Sequence, residues 1–283
     1  MSERGIKRRI PAIDSMDGAG VRIQRSVGNS QFARIDPFLM LDNFRSDNPD
    51  DYIAGFPAHP HRGFETVTYM IEGRMRHRDH MGNEGILRSG GVQWMTAGRG
   101  VIHEEMPEQE EGLMSGFQLW VNLPASEKMK PAAYQNIEPE EVVEFDVANG
   151  VHVRLVAGEL KDVQGELRKG PAGGISRQPL FVDIQMAAST QYALPIINKL
   201  SGFIYLFEGS ATLGGDTLNL NEAAEMSEGS SISLNAGAQG ARMLVIAGEA
   251  INEPIAQYGP FVMNTVDEIE QAIADYRANR LTS

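Results

Sequence analysis

Three histidines and two acids in the first half of the chain have the types and spacing of a metal site built across strands. They occur in GFPAHPHRGFETV (55–67) and QWMTAGRGVIHEEMP (93–107). Histidine is scarce, six in 283 residues, yet His59, His61 and His103 all fall in these turn-rich, strand-like stretches. Side chains alternate along a strand, so His59, His61 and Glu65 would share one face, and His103 and Glu105 one face of another. Two such strands facing each other would offer three imidazoles and a carboxylate to one ion, with a position left open for substrate or oxygen. Both Glu65 and Glu105 have a workable parity, and spacing alone does not choose between them. Glu104 has the opposite parity and is expected to face away.

The elements that would position these residues read as strands. FETVTYMIEG (64–73), RMRHRDHMG (74–82), GVQWMTAG (91–98) and MSGFQLWVNLP (114–124) are rich in aromatic and β-branched residues and stop at Gly, Pro or Asn. The stretch 123–141 breaks this rhythm with three prolines and several charges and reads as a boundary. Strand-like runs then resume up to residue 249, and GFIYLFEGSATLGG repeats the layout of GFETVTYMIEGRMRHRD. Superposing the two Glu-Gly turns places Pro195 and Ile197 where His59 and His61 lie. No histidine follows His152, so the second half carries no imidazole site. The expectation is an all-β chain of two tandem barrels: residues 1–134 with the metal site, a linker at 135–146, and residues 147–283 without one. Thr265 and Glu268 form a capping-box pattern, and Val266, Ile269, Ala272, Ile273 and Tyr276 make an apolar stripe. Together they predict a packing helix over about 265–281.

Other residues have plainer roles open to them. His77 and His80, three apart, cannot both face the pocket. His77 shares a face with Asp79, and a hydrogen-bonded pair there and a direct role both stay open. His152 is isolated and reads as structural. Trp94, Met95, Phe56, Met70 and Met106 read as core first and as pocket wall second. Gly98 and Gly100 suit the tight turn that returns His103 to the barrel.

Composition narrows the function. The chain has no cysteine, which rules out disulfides, thiolate ligands and thiol switching. A net charge of −13 argues against a broad phosphate-binding surface, and Lys7, Arg8 and Arg9 read as a solvated edge. No apolar run is long enough to cross a bilayer and the N-terminus lacks a signal-peptide core, so a cytoplasmic monomer is expected, with no membrane or direct nucleic-acid contact.

HxHx₃E at His59–Glu65 and GRGVIH at Gly98–His103 resemble the two motifs of cupins, small double-stranded β-helix barrels of jelly-roll type that hold a metal inside. Cupins usually have proline where Gly98 stands. HPHRGFETVTYMIEG, QWMTAGRGVIHEEMP and GEAINEPIAQYGPFVMNT (248–265) look more narrowly like the pirin family of two-cupin proteins, over nearly the whole chain. The resemblance implies metal ligands at His59, His61, His103 and Glu105, with Glu65 left to orient an imidazole. It implies one divalent transition metal, Fe(II) first, with Mn, Ni, Co, Cu or Zn also accepted. It also implies cleavage of flavonols such as quercetin by O₂ with release of carbon monoxide, in the manner of quercetin 2,3-dioxygenase, with Glu105 or Glu65 as base. The second function it implies is that of a non-catalytic regulator. There the metal's redox state would govern binding to a protein partner, a transcription factor or a metabolic enzyme.

Overall fold

The computed structural model describes residues 2–177 and 179–283 and is built almost wholly of antiparallel strands, with one α-helix among the described residues at Val266–Arg277. The chain forms two compact units. They do not follow a single cut at 135–146. One unit comprises Asp14–Arg25, Phe38–Pro139 and Ile251–Ser283, and the other the residues up to Ile13, Ser26–Pro37 and Glu140–Ala250. Each end of the chain therefore belongs with the barrel that the opposite half supplies. The stretch 135–146 is not a bare linker either. Ala133–Ile137 is an edge strand beside Val92–Thr96, and Val143–Ala148 pairs with Val151–Ala157.

The first unit is a sandwich of two sheets. One runs in the order Phe56–His61, Val101–Pro107, Arg74–Asp79, Glu84–Arg88. The other runs Ala133–Ile137, Val92–Thr96, Phe64–Glu72, Met114–Asn122, Phe38–Ser46, Val21–Arg25, Ile13–Asp17. The strands Val92–Thr96 and Phe64–Glu72 have almost no exposed residues, because both faces are covered. The C-terminal segment adds a short strand, Phe261–Met263, and the helix. Phe261, Met263, Ile269, Ala272 and Leu281 bury one another against Ile102, and Val262 packs with Leu39 and Phe64.

The helix begins as expected, with Thr265 and Glu268 exchanging capping-box hydrogen bonds. It ends at Arg277, and only Ile269 and Ala272 are fully buried while Val266 and Tyr276 stay exposed. A narrower apolar seam suffices because the helix covers little beyond the short strands Ala256–Tyr258 and Phe261–Met263, Ile102 and the Leu281 tail.

The second unit is built on a large sheet whose main path runs Ile6–Pro11, Glu222–Met226, Leu200–Leu213, Ser231–Glu249, Leu180–Met186, Val151–Ala157, Val143–Ala148, with Glu159–Lys161 and Leu167–Lys169 paired apart from it. Its interior is apolar, with Val153, Leu155, Val182, Ile184, Leu206 and Met243 fully buried. The Glu-Gly turn shared by the two halves differs in outcome. Glu72-Gly73 ends one strand and starts another, whereas Glu208-Gly209 lies within Leu200–Leu213 as an irregularity in pairing. The N-terminal strand closes the edge beside Glu222–Met226. Its basic cluster is not merely solvated: Lys7 and Arg8 both reach Glu225 at 2.7 Å, and Arg9 reaches Glu222 at 2.8 Å.

Candidate metal centre

The histidines come together through strand register. In the pair Phe56–His61 and Val101–Pro107, His103 stands opposite His59 and Val101 opposite His61. Ring centroids are 4.7 Å apart for His59 and His61, 4.4 Å for His59 and His103, and 5.0 Å for His61 and His103. One ring nitrogen from each of the three lies within 4.8 Å of the others. His61 and His103 are buried, and His59 is half-buried at the rim.

The hydrogen bonds around the rings suit an ion. His59 Nδ1 lies 2.8 Å from the carbonyl of Pro57, to which it donates, and its Nε2 is turned toward the other rings. That Nε2 is 2.9 Å from Nε2 of His61. Two lone pairs this close need a proton or a cation between them. Nitrogens bound about 2.1 Å from one ion at right angles would stand about 3 Å apart. Nε2 of His103 is buried without a hydrogen-bond partner among the described residues, as is Nδ1 of His61. Burial holds His61 and His103 well below the ordinary imidazole pKa of 6.5, and neighbouring imidazoles push them further down. The Pro260 carbonyl pulls His61 the other way without reaching hydrogen-bond geometry. Neutral, desolvated imidazoles with orphan nitrogens form a donor set that fits a divalent transition metal.

The two acids separate. Glu105 is buried on the same strand face as His103, and its Oε1 accepts from the Thr68 hydroxyl at 2.8 Å. That hydroxyl is also 2.5 Å from Oε1 of Gln118, so Glu105 is tied to the facing sheet. Glu105 does not fall within the tight nitrogen cluster itself. Glu104 is half-exposed, 3.9 Å from Arg76, as its parity predicts.

Glu65 is fully buried, but its hydrogen bonds run to Thr96 at 2.8 Å, Trp94 Nε1 at 3.1 Å and Lys130 Nζ at 3.4 Å rather than to an imidazole. A shared face for HxHx₃E requires one unbroken strand. Here Phe56–His61 ends and Phe64–Glu72 begins across Gly63, which has φ +91°, so the alternation restarts. Thr68, one step out of phase with Glu65, faces the site instead. Burial raises the Glu65 pKa, opposed by Lys130, Thr96 and Trp94.

Other residues at the site left little trace in the sequence. Phe64 and Trp120 stack near His61, with centroids at 5.1 and 5.3 Å, and form the apolar wall. Trp94 is buried on the Glu65 side, and Met70 packs in the core with Phe44. His77 is buried with Nδ1 3.4 Å from Nδ1 of His103 and Nε2 3.7 Å from Asp79, while its ring stacks on Tyr134. The shared face of His77 and Asp79 was legible, whereas the cross-sheet partners Thr68, Gln118 and Trp120 carried no signal. His152 is partly exposed beside Asp146 and Glu144, in the other unit.

Comparison with known proteins gives the family. Residues 20–121 match the Pirin family and residues 181–282 match the Pirin C-terminal cupin domain. The chain is 53% identical over 267 residues to a putative quercetin 2,3-dioxygenase of Pseudomonas aeruginosa, covering 92% of each. It is 39% identical over 271 residues to pirin of Homo sapiens, covering 93% of this chain and 89% of that one. Among solved structures it resembles quercetin 2,3-dioxygenase from Acinetobacter baumannii, with a TM-score of 0.90 and 33% identity over 100% of this chain and 99% of that one. Two cupin units, a histidine cluster in the first and similarity along the whole length make this chain a member of the pirin family.

Proposed function

We propose that the protein is a metal-dependent dioxygenase that cleaves flavonols with O₂. The observation that carries this is a cluster of three imidazoles, two of them buried with orphan nitrogens among the described residues, beside a buried carboxylate and an aromatic wall. His59, His61, His103 and Glu105 would hold the ion, Fe(II) first among divalent metals. The ion would supply a Lewis-acid position that lowers the pKa of a flavonol hydroxyl and brings it together with O₂. Glu105 is the chain's base in this reading, because its carboxylate lies on the face of His103 and can take the hydroxyl proton. The Thr68 hydroxyl holds that carboxylate in place while the proton moves. Trp120, which is partly exposed, offers apolar area for a flat ring system, and the buried Phe64 ring backs it at 4.3 Å. Glu65 is enclosed by Trp94, Thr96 and Lys130 and serves the fold rather than the proton transfer.

The test is oxygen uptake by the metal-loaded protein with quercetin. Uptake should vanish in His61→Ala, whose fold should persist because the barrel's stability comes from its apolar core. Binding should also shift the flavonol's absorption as its hydroxyl ionises. A second reading rests on the likeness to pirins as well as to quercetinases. In it the bound metal's redox state alters the surface for a protein partner. Absence of turnover under every metal loading, with partner capture that depends on oxidation state, would favour it.

A further inference from the structure

We infer that His77 and Asp79 are positioning residues that fix the ring of His103 through its Nδ1, forming a chain from Asp79 through His77 to the candidate metal ligand. This rests on the reading of His103 as a metal ligand, and not on the flavonol chemistry.

The geometry leaves His103 one consistent arrangement. Among the described residues its Nε2 is buried without a hydrogen-bond partner, and it is the nitrogen free for an ion. A neutral imidazole that ligates through Nε2 carries its proton on Nδ1, which must donate to something in a buried site. Nδ1 of His77 lies 3.4 Å away. For His77 to accept there, its own proton sits on Nε2, which faces Asp79 Oδ2 at 3.7 Å, just beyond a hydrogen bond.

Asp79 is itself fastened. Its Oδ1 accepts from the backbone N–H of Met81 at 2.8 Å and of Asn83 at 3.0 Å, and its Oδ2 accepts from Asn83 Nδ2 at 2.7 Å. Tyr134 stacks on the His77 ring at 4.7 Å, 17° from parallel, and limits its rotation. Strand register supplies the spacing, because Asp79 stands opposite His103 and His77 opposite Glu105. A carboxylate that orients a ligand imidazole typically raises both metal affinity and the ligand's basicity. Here a second imidazole extends its reach.

The test uses the full chain loaded with Co(II), whose paramagnetism shifts the exchangeable ring N–H signals of its histidine ligands. His77→Phe keeps an aromatic ring on Tyr134 and removes the acceptor. Competition with a chelator should show metal binding weakened about 10- to 100-fold. One shifted N–H signal should lose its protection and exchange with water, while the others remain. His77→Gln, which restores an acceptor, should recover most of both. Asp79→Asn should weaken binding in the same direction, and it carries the test if the Phe variant does not fold. Affinity within twofold of wild type with all N–H signals still protected would overturn the inference. So would a loss beyond about a thousandfold together with a changed number of ligand signals, since His77 would then be a ligand itself. Wild-type protein that takes up no Co(II) would instead strike down the metal centre, and this chain with it.

Discussion

The imidazoles of His61 and His103 are kept neutral by burial, and this makes the site's stability and its metal affinity respond to pH in the same direction. Their folded pKa values lie well below 6.5, so as pH falls beneath 6.5 the unfolded chain takes up protons that the folded chain refuses. Stability is full above 6.5 and is lost toward lower pH, by up to about 1.4 kcal/mol per pH unit for each imidazole. Denaturant melts of metal-free protein from pH 7.5 down to 5 should show that decline, and His103→Phe should flatten it. The two acids predict a clean separation. Glu105→Gln should cost metal retention with little loss of fold. Glu65→Gln should leave retention nearly intact but destabilise by about 2–4 kcal/mol, because it disturbs a buried carboxylate paired with Lys130, Thr96 and Trp94. Chelator competition and thermal melts on both variants check this, and the reverse order would return Glu65 to the ligand set.

Strand breaks, more than strand composition, decide which side chains reach the centre. Residues 64–72 were legible as a strand from their β-branched and aromatic residues, and the three histidines from their rarity and spacing. The facing of Glu65 was not legible, because it depends on the turn at Arg62-Gly63 and on the restart of alternation beyond it. That turn is clamped by the C-terminal segment. A Cβ on Gly63 would stand 2.0 Å from the Val262 carbonyl. Arg62 pairs with Asp275 at 2.8 Å and donates to the Leu281 carbonyl at 3.0 Å.

Lys128 completes the clamp, with Nζ donating to Asn122 at 2.7 Å and to the carbonyls of Gly63 at 2.8 Å and Val262 at 2.9 Å. Burial lowers the Lys128 pKa to about 8, with Glu253 and Glu268 opposing. Lys128→Met should strand these three acceptors, destabilise the unit by about 2–4 kcal/mol and loosen residues 260–263. Thermal melts and amide exchange at Val262 and Met263 read the effect. Unchanged protection there would show that the lysine does not hold the strap.

At the scale of the molecule the two cupin units were legible as an internal repeat. The exchange of chain ends was not legible. Pairing of Ile6–Pro11 with Glu222–Met226, and packing of Phe261–Leu281 beside Ile102, join segments far apart in sequence that local pattern cannot match. With an apolar core in one unit and a histidine cluster in the other, metal content should be about one per chain and fall to none in a His59→Ala, His61→Ala double variant. Metal analysis of the full chain checks this, and a value near two would require a second site. The most direct test of the central claim is to measure carbon monoxide formed against O₂ consumed when protein loaded with Fe(II), Mn(II), Ni(II) or Cu(II) is given quercetin. The dioxygenase reading predicts equimolar carbon monoxide and O₂ with at least one metal, and neither in the metal-free or His61→Ala protein. No oxygen uptake and no carbon monoxide with any of the four metals would contradict it.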